Sequence, residues 1–219
     1  MSLQIISTTE TQYNPVFLKI LEDIPGGVTI RTNRTPSTTK SFAPGTPLNA
    51  DTTSVGLYNI VKTALLKRAI TTSACVTIYV YGSDLPNSPG QEFIVGEYVM
   101  IDSRGSAATI ASISRGTRTN GIGTDTIIFT AGGGGLNATA AVLTKLIEAS
   151  AAAVTAADAK YDADCLLRDA VEVRLSSGYT LQNIMAGAVV RGTVDESILP
   201  YTSPNEGVKT PLTSRIRFA

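Results

Sequence analysis

The chain has 219 residues, no histidine, no tryptophan, and 18 basic against 18 acidic side chains, for a formal net charge of zero. That composition removes Ser-His-Asp and Cys-His catalysis and imidazole metal ligands, and the missing basic excess argues against nucleic acid as a partner. Only 16% of the residues are charged, against about 25% in an average soluble domain, so Ser, Thr, Asn, Gly and Ala must cover much of a surface that is prone to association.

The first segment, residues 1–24, is polar except for the cluster Val16-Phe17-Leu18-Lys19-Ile20-Leu21 between Pro15 and Pro25-Gly26-Gly27. It reads either as an arm that orders against a partner or as an ordinary first strand. Tyr13, Val16, Phe17 and Ile20 are its candidate partner contacts. No basic stretch precedes an apolar run here, so no signal peptide is expected. No run of about 18 apolar residues occurs, so no membrane partner is expected either. Synthesis in a cytosol is expected.

Val28 to Thr32 alternates as a strand does, and turn chemistry dominates from Thr32 to Asp51. Leu57 to Leu66 fits helix or strand; its Tyr, Ile, Val and Thr content favours a single strand. ACVTIYVYG, residues 74–82, is the clearest strand, with Val76, Ile78 and Val80 on one face and Tyr79 and Tyr81 on the other. The outward tyrosines suit either an interface patch or a core. Further strands are expected at Phe93–Ile101, with a Gly turn inside it, at Ala107–Ser112 and at Thr126–Thr130, with the loop RGTRTNGIGTD between the last two. Strands at this spacing, broken by Gly-rich turns, predict a small barrel or sandwich over about residues 72–148.

An Ala-rich run from Ala138 to Ala159 follows. Its start suits a closing strand, and its remainder suits a linker or a helix around 147–160, because Ala, Glu and Lys are strong helix formers. Short strands are expected at Asp162–Arg168, Ala170–Leu175, Ala188–Val194 and Pro211–Phe218. The predicted fold is mainly β with little helix. It comprises an N-terminal arm (1–24), one β domain made of 25–70 plus 161–219, and an inserted, projecting β domain (71–160).

Few residues announce chemistry. Gly132 to Gly135 lacks the Lys-Ser/Thr that a phosphate-cradling loop requires and reads as a turn. Cys75 and Cys165 are far apart, each beside apolar neighbours, and are expected to be buried reduced thiols. Asp162 and Asp164 share a strand face; they form half of a calcium site or, more simply, a solvated edge. No cofactor, no metal and no enzymatic activity are expected. Arg104, Arg115, Arg118 and Asn120 lie in Ser/Thr-rich loops and are candidate outward contacts, for a neighbouring subunit or a glycan.

Two segments, FAPGTPLNADTTSVGLYNIVKTALLKRAI (42–70) and DADCLLRDAVEV…GAVVRGTVDESILPY (162–201), resemble the lambdoid head-decoration proteins of tailed phages. Val189, Gly192 and Val194 stand where those proteins have a V-x-x-G-x-V strand, and Leu199-Pro200 where they have a turn. The middle segment is similar to a β-module of head-fibre and auxiliary capsid proteins. This resemblance implies a decoration-protein-like β domain, a homotrimer, the major capsid protein as partner and a place on the outer capsid surface of a virion. The compact decoration proteins lack the inserted domain. A glycan-binding adhesion module of a tail fibre or baseplate is the alternative.

Overall fold

A computed structural model describes residues 16–32, 41–72, 74–83, 92–101, 105–120, 122–130, 135–137, 139–155, 157–172, 183–196, 199 and 208–219. Tyr13, Arg104, the loop 84–91, most of the glycine run and the segment 173–182 lie outside the described residues. The first five strands are β1 (Phe17–Asp23), β2 (Val28–Ile30), β3 (Ser41–Phe42), β4 (Pro47–Ala50) and β5 (Leu57–Ile60). Next come β6 (Thr63–Leu65), β7 (Thr77–Ser83), β8 (Tyr98–Ile101), β9 (Ala107–Arg115), β10 (Ile122–Phe129) and β11 (Lys145–Ala149). The chain returns through β12 (Cys165–Leu167), β13 (Val171–Glu172), β14 (Ile184–Ala186), β15 (Ala188–Val194), a 3-10 turn at Thr210–Leu212 and β16 (Ile216–Phe218).

These strands form a mainly β fold. One sheet is mixed, in the order β1-β15-β12-β4-β5-β2-β14, with β16 parallel to β15. β3 and β13 pair separately. The second sheet, β6-β11-β8-β9-β10-β7, is antiparallel throughout. It curls into a half-barrel far enough that Leu66, just past β6, bridges Val80 of β7. The curl wraps one apolar cluster that includes Ile78, Val80, Phe93, Ile110, Ile127 and Phe129. β10 shows why: its inward positions, Asp125, Ile127 and Phe129, are buried and alternate with more exposed neighbours, the period that a sheet with one covered face imposes.

Every residue of β11 is buried. Leu146 packs inside the half-barrel, while Ile147 and Ala149 face a second cluster with Val61, Met100, Leu166, Val189, Val194 and Ile216. That cluster draws on both sheets and joins them. A third, around Ile30, Phe42, Leu48 and Cys165, lies on the other face of the mixed sheet. Where the chain passes between the sheets, Lys62 is buried and its ammonium is ion-paired with Glu97, which also accepts the Ile94 N–H at 2.9 Å.

Three expectations are corrected. Leu57–Leu66 is not one strand: it breaks at Val61-Lys62, with β5 in the mixed sheet and β6 in the half-barrel. Residues 59–66 are buried throughout, which conceals the crossing from a periodicity argument. Within Phe93–Ile101 the expected Gly turn falls at Val95-Gly96, where Gly96 has φ +90°, and the strand forms only after it, from Tyr98. Among the described residues of 147–160 no helix forms. Ala153 exchanges backbone hydrogen bonds with Ala107, and Ala157 donates to the Gly105 carbonyl at 2.8 Å. Propensity is a weak prior, and pairing beside a strand outweighs it.

Candidate functional site

The mixed sheet ends at β1, which pairs with β15 on one side and has no further strand beyond it among the described residues. The expected arm contacts therefore divide. Val16 is buried in the chain's own shared cluster, and Phe17 is half-buried against it, so both anchor β1 instead of facing outward. The Val16 carbonyl accepts the Asp195 N–H at 2.9 Å, holding the start of the strand. Ile20 is exposed, and it is joined by two residues not singled out from the sequence, Leu18 and Leu21: their exposures are 57% for Leu18, 43% for Ile20 and 56% for Leu21.

Strict alternation would show only one face of such a strand. Here the register against β15 shifts between Phe17 and Lys19 and again between Ile20 and Glu22. Each irregularity turns the strand, so the apolar side chains reach solvent on both faces. Gly192 in β15 allows the approach, because a Cβ at that position would lie 2.5 Å from the Lys19 carbonyl oxygen. The motif glycine of β15 thus has a local reason: the backbone of β1 lies against it. The opposite edge, β14, exposes Met185 at its centre.

The loops at the β9–β10 end are arranged differently from expectation. Thr119 and Ile122 exchange backbone hydrogen bonds across the tip, with Asn120 in the left-handed region at φ +53°, a conformation Asn tolerates. Arg115 is exposed at the end of β9. Arg118 is not an outward contact. Its guanidinium lies over Gly82 and Gly123 and binds the buried Asp125 carboxylate with both Nη atoms, at 2.6 and 2.9 Å. A Cβ at Gly123 would stand 2.7 Å from Nη1. Asp125 points into the half-barrel, so Arg118 neutralises a buried charge and is not free to recognise a ligand.

The tyrosines of β7 are covered from within the chain as well: Arg68 stacks 4.3 Å from the Tyr79 ring centre and Lys67 lies 5.4 Å from that of Tyr81. Both cysteines are free thiols; Cys165 is buried and Cys75 half-buried. Burial, helped by the Asp164 carboxylate, pushes the Cys165 thiol up to about 12, which leaves it protonated and a poor nucleophile. Asp164 accepts the Ala50 N–H at 2.8 Å and the Asn49 amide at 3.1 Å, whereas Asp162 is exposed. Among the described residues no three His, Cys, Asp or Glu side chains are grouped as a metal site requires. No family model, curated protein or solved structure matches the chain.

Proposed function

We propose that the chain is a structural subunit that works by docking, and that its setting is the outer surface of a tailed-phage capsid, as a decoration or head-fibre protein. The observation that carries this reading is the β1 edge. An edge strand with no further strand beside it among the described residues and with three exposed apolar side chains is a ready template for a strand of another chain. Lys19, Glu22 and Asp23 put charge on this strand, a device that limits unspecific pairing at an edge, and the exposed Leu18, Ile20 and Leu21 between them supply the apolar contact that a specific partner would cover. The assignment to a phage shell rests on the decoration-protein resemblance of residues 42–70 and 162–201. In an assembly of three copies, weak edge contacts add through avidity.

The test is co-sedimentation of the full-length protein with mature empty heads of the phage whose genome encodes it, together with light scattering. A trimer that pellets with heads, and fails to do so when Leu18, Ile20 and Leu21 are all replaced by Thr, is the expected result. A monomer that stays in the supernatant would sink the proposal.

A further inference from the structure

The β1 edge borders a charged face of the mixed sheet. Lys19 of β1 stands opposite Thr193 of β15, and Thr193 stands beside Arg217 of β16. Residues paired in this way project from one face of a sheet. Arg191 lies two residues before Thr193 and shares that face, with Glu22 of β1 opposite it. The Arg215 carbonyl accepts the Gly192 N–H at 3.2 Å, which places Arg215 beside the Arg191-Gly192 step. The other face of these strands is apolar: Val194, Ile216 and Phe218 pack on the shared cluster. The alternation Ile216-Arg217-Phe218 thus sends its one cation outward.

Lys19, Arg191, Arg215 and Arg217 are all exposed, and none of them forms an ion pair among the described residues. Cations elsewhere on this sheet are matched: Arg31 by Asp51, and Arg168 by Asp23 and Asp169. The acids on the charged face are Glu22 and, one position beyond Val194, Asp195. Four cations against two acids leave a positive excess here, on a chain whose formal net charge is zero. Strands lie about 4.8 Å apart and alternate residues about 6.8 Å apart, so Lys19, Arg191 and Arg217 surround Thr193 at mutual spacings of about 8–10 Å. That is within about one Debye length at physiological salt, so they act on a partner together. Ile20 is paired with Gly192, the neighbour of Thr193, and belongs to the opposite face from Lys19. A strand laid beside β1 therefore meets positive charge on one face and exposed apolar side chains on the other.

We propose that the segment received by β1 is an acidic strand of a partner protein, in which carboxylates alternate with apolar residues. One carboxylate pairs with Lys19 and lies in the field of Arg191 and Arg217, and the apolar residues cover Ile20. The proposal rests on the reading of β1 as a docking edge and adds the chemistry of what docks there. Main-chain hydrogen bonds at a sheet edge are open to any extended segment; matched charge selects among segments and speeds their encounter. A basic segment sets like charge opposite Lys19, which is unfavourable. Glu22 repels a carboxylate placed opposite itself, so the partner's acids belong at the Lys19 end of the strand.

The experiment is a titration of the ¹⁵N-labelled full chain, followed by backbone amide shifts. The probes are the peptide Thr-Glu-Val-Glu-Val-Glu-Val-Thr and its counterpart with Lys at each Glu, each to about 2 mM, enough to populate a site of millimolar Kd. A short single-stranded oligonucleotide is the polyanion control. The Glu peptide is expected to shift the amides of Leu18 to Glu22 and of Arg191 to Thr193, and the Lys peptide to bind about tenfold more weakly. Raising NaCl from about 0.05 M to about 0.5 M should weaken the Glu peptide several-fold, because screening shortens the reach of the charges. Lys19→Glu should weaken it about tenfold. Arg191→Glu and Arg217→Glu, at exposed positions, have the same expected direction should Lys19→Glu lose its dispersed spectrum. Equal binding of the two peptides at β1, or Glu-peptide binding unchanged in the folded variants, would overturn the acidic assignment and leave the docking edge standing. No shift with either peptide, or shifts with the oligonucleotide alone, would overturn it too; co-sedimentation with heads then shows whether the docking edge falls with it.

Discussion

Arg115 and Arg118 stand three residues apart in one loop region, yet they are energetically unlike. Arg118 neutralises Asp125, whose carboxylate is buried, and removing one partner of a buried pair leaves an uncompensated charge. Arg118→Ala should therefore cost about 3–5 kcal/mol, whereas Arg115→Ala, at an exposed site, should stay within about 0.5 kcal/mol; urea denaturation of the two variants measures both. Asp51 carries a pH dependence. Its carboxyl is lowered from an ordinary 3.8 to about 2, first by the bonds from Thr53, so the folded state holds the charged form more tightly than the unfolded chain does. That contribution is complete above about pH 4 and is lost as the pH falls towards 2. Urea midpoints across that window should fall more steeply for the wild type than for Asp51→Asn. Equal slopes would mean that another carboxylate is responsible.

At the scale of the element, β1 and the 157–164 crossing behave as opposites. β1 is held by Val16 at its start and by backbone pairing along β15, but the side chains at Leu18, Ile20 and Leu21 contribute little to the fold because solvent surrounds them. Replacing all three by Thr, a residue that keeps β propensity, should change folding stability by about 0.5 kcal/mol per site or less while abolishing any assembly that uses this edge. A large loss of stability in chemical denaturation would show that these side chains are packed within the protomer. The crossing segment is instead sewn down: Ser150 donates to Asp158, Lys160 donates to the Glu148 carbonyl, and Ala163 is buried. It lies beside the β4–β5 hairpin, where the Asn49 amide donates to the Asp162 carbonyl at 2.6 Å.

For the whole molecule, the cluster shared by the two sheets decides the mode of unfolding. Ile147, Ala149 and Met100 of the half-barrel meet Leu166, Val189 and Val194 of the mixed sheet in one apolar volume. Neither sheet can open without exposing the other's core face, so a single cooperative transition is expected, with far-ultraviolet circular dichroism and tyrosine fluorescence giving coincident curves. Leu166→Ala, at a buried position in this cluster, should lower stability by about 2–5 kcal/mol and shift both curves together. Separate midpoints would mean that the half-barrel is held mainly by its own interior.

The amino-acid sequence by itself determined the β character of the chain, because alternation in segments such as 74–82 reflects a local two-residue period with one buried face; the first half of β10, Ile122–Asp125, read as loop and became strand only by pairing with β7. It also determined what imidazole chemistry is excluded, and it marked the apolar cluster 16–21 as unusual for a terminal segment. Only the tertiary structure decided how the strands are shared. The switch of sheets at Lys62 is invisible locally because both flanks are buried, and the Ala-rich run lost its helix to pairing with Gly105 and Ala107, which are distant in the chain. The partner of Arg118 is also a matter of tertiary structure, since two glycines must clear its path to Asp125. For the candidate sites, the Ala-rich composition up to Ala159 pointed to a linker or a helix, and not to the extended crossing in which Ala157, Ala159, Tyr161 and Ala163 pack on the shared cluster. The meeting of this crossing with Asn49, Asp51 and Asn59 was not legible, because that contact joins residues about a hundred positions apart in the chain, and a local pattern carries no information about such a meeting.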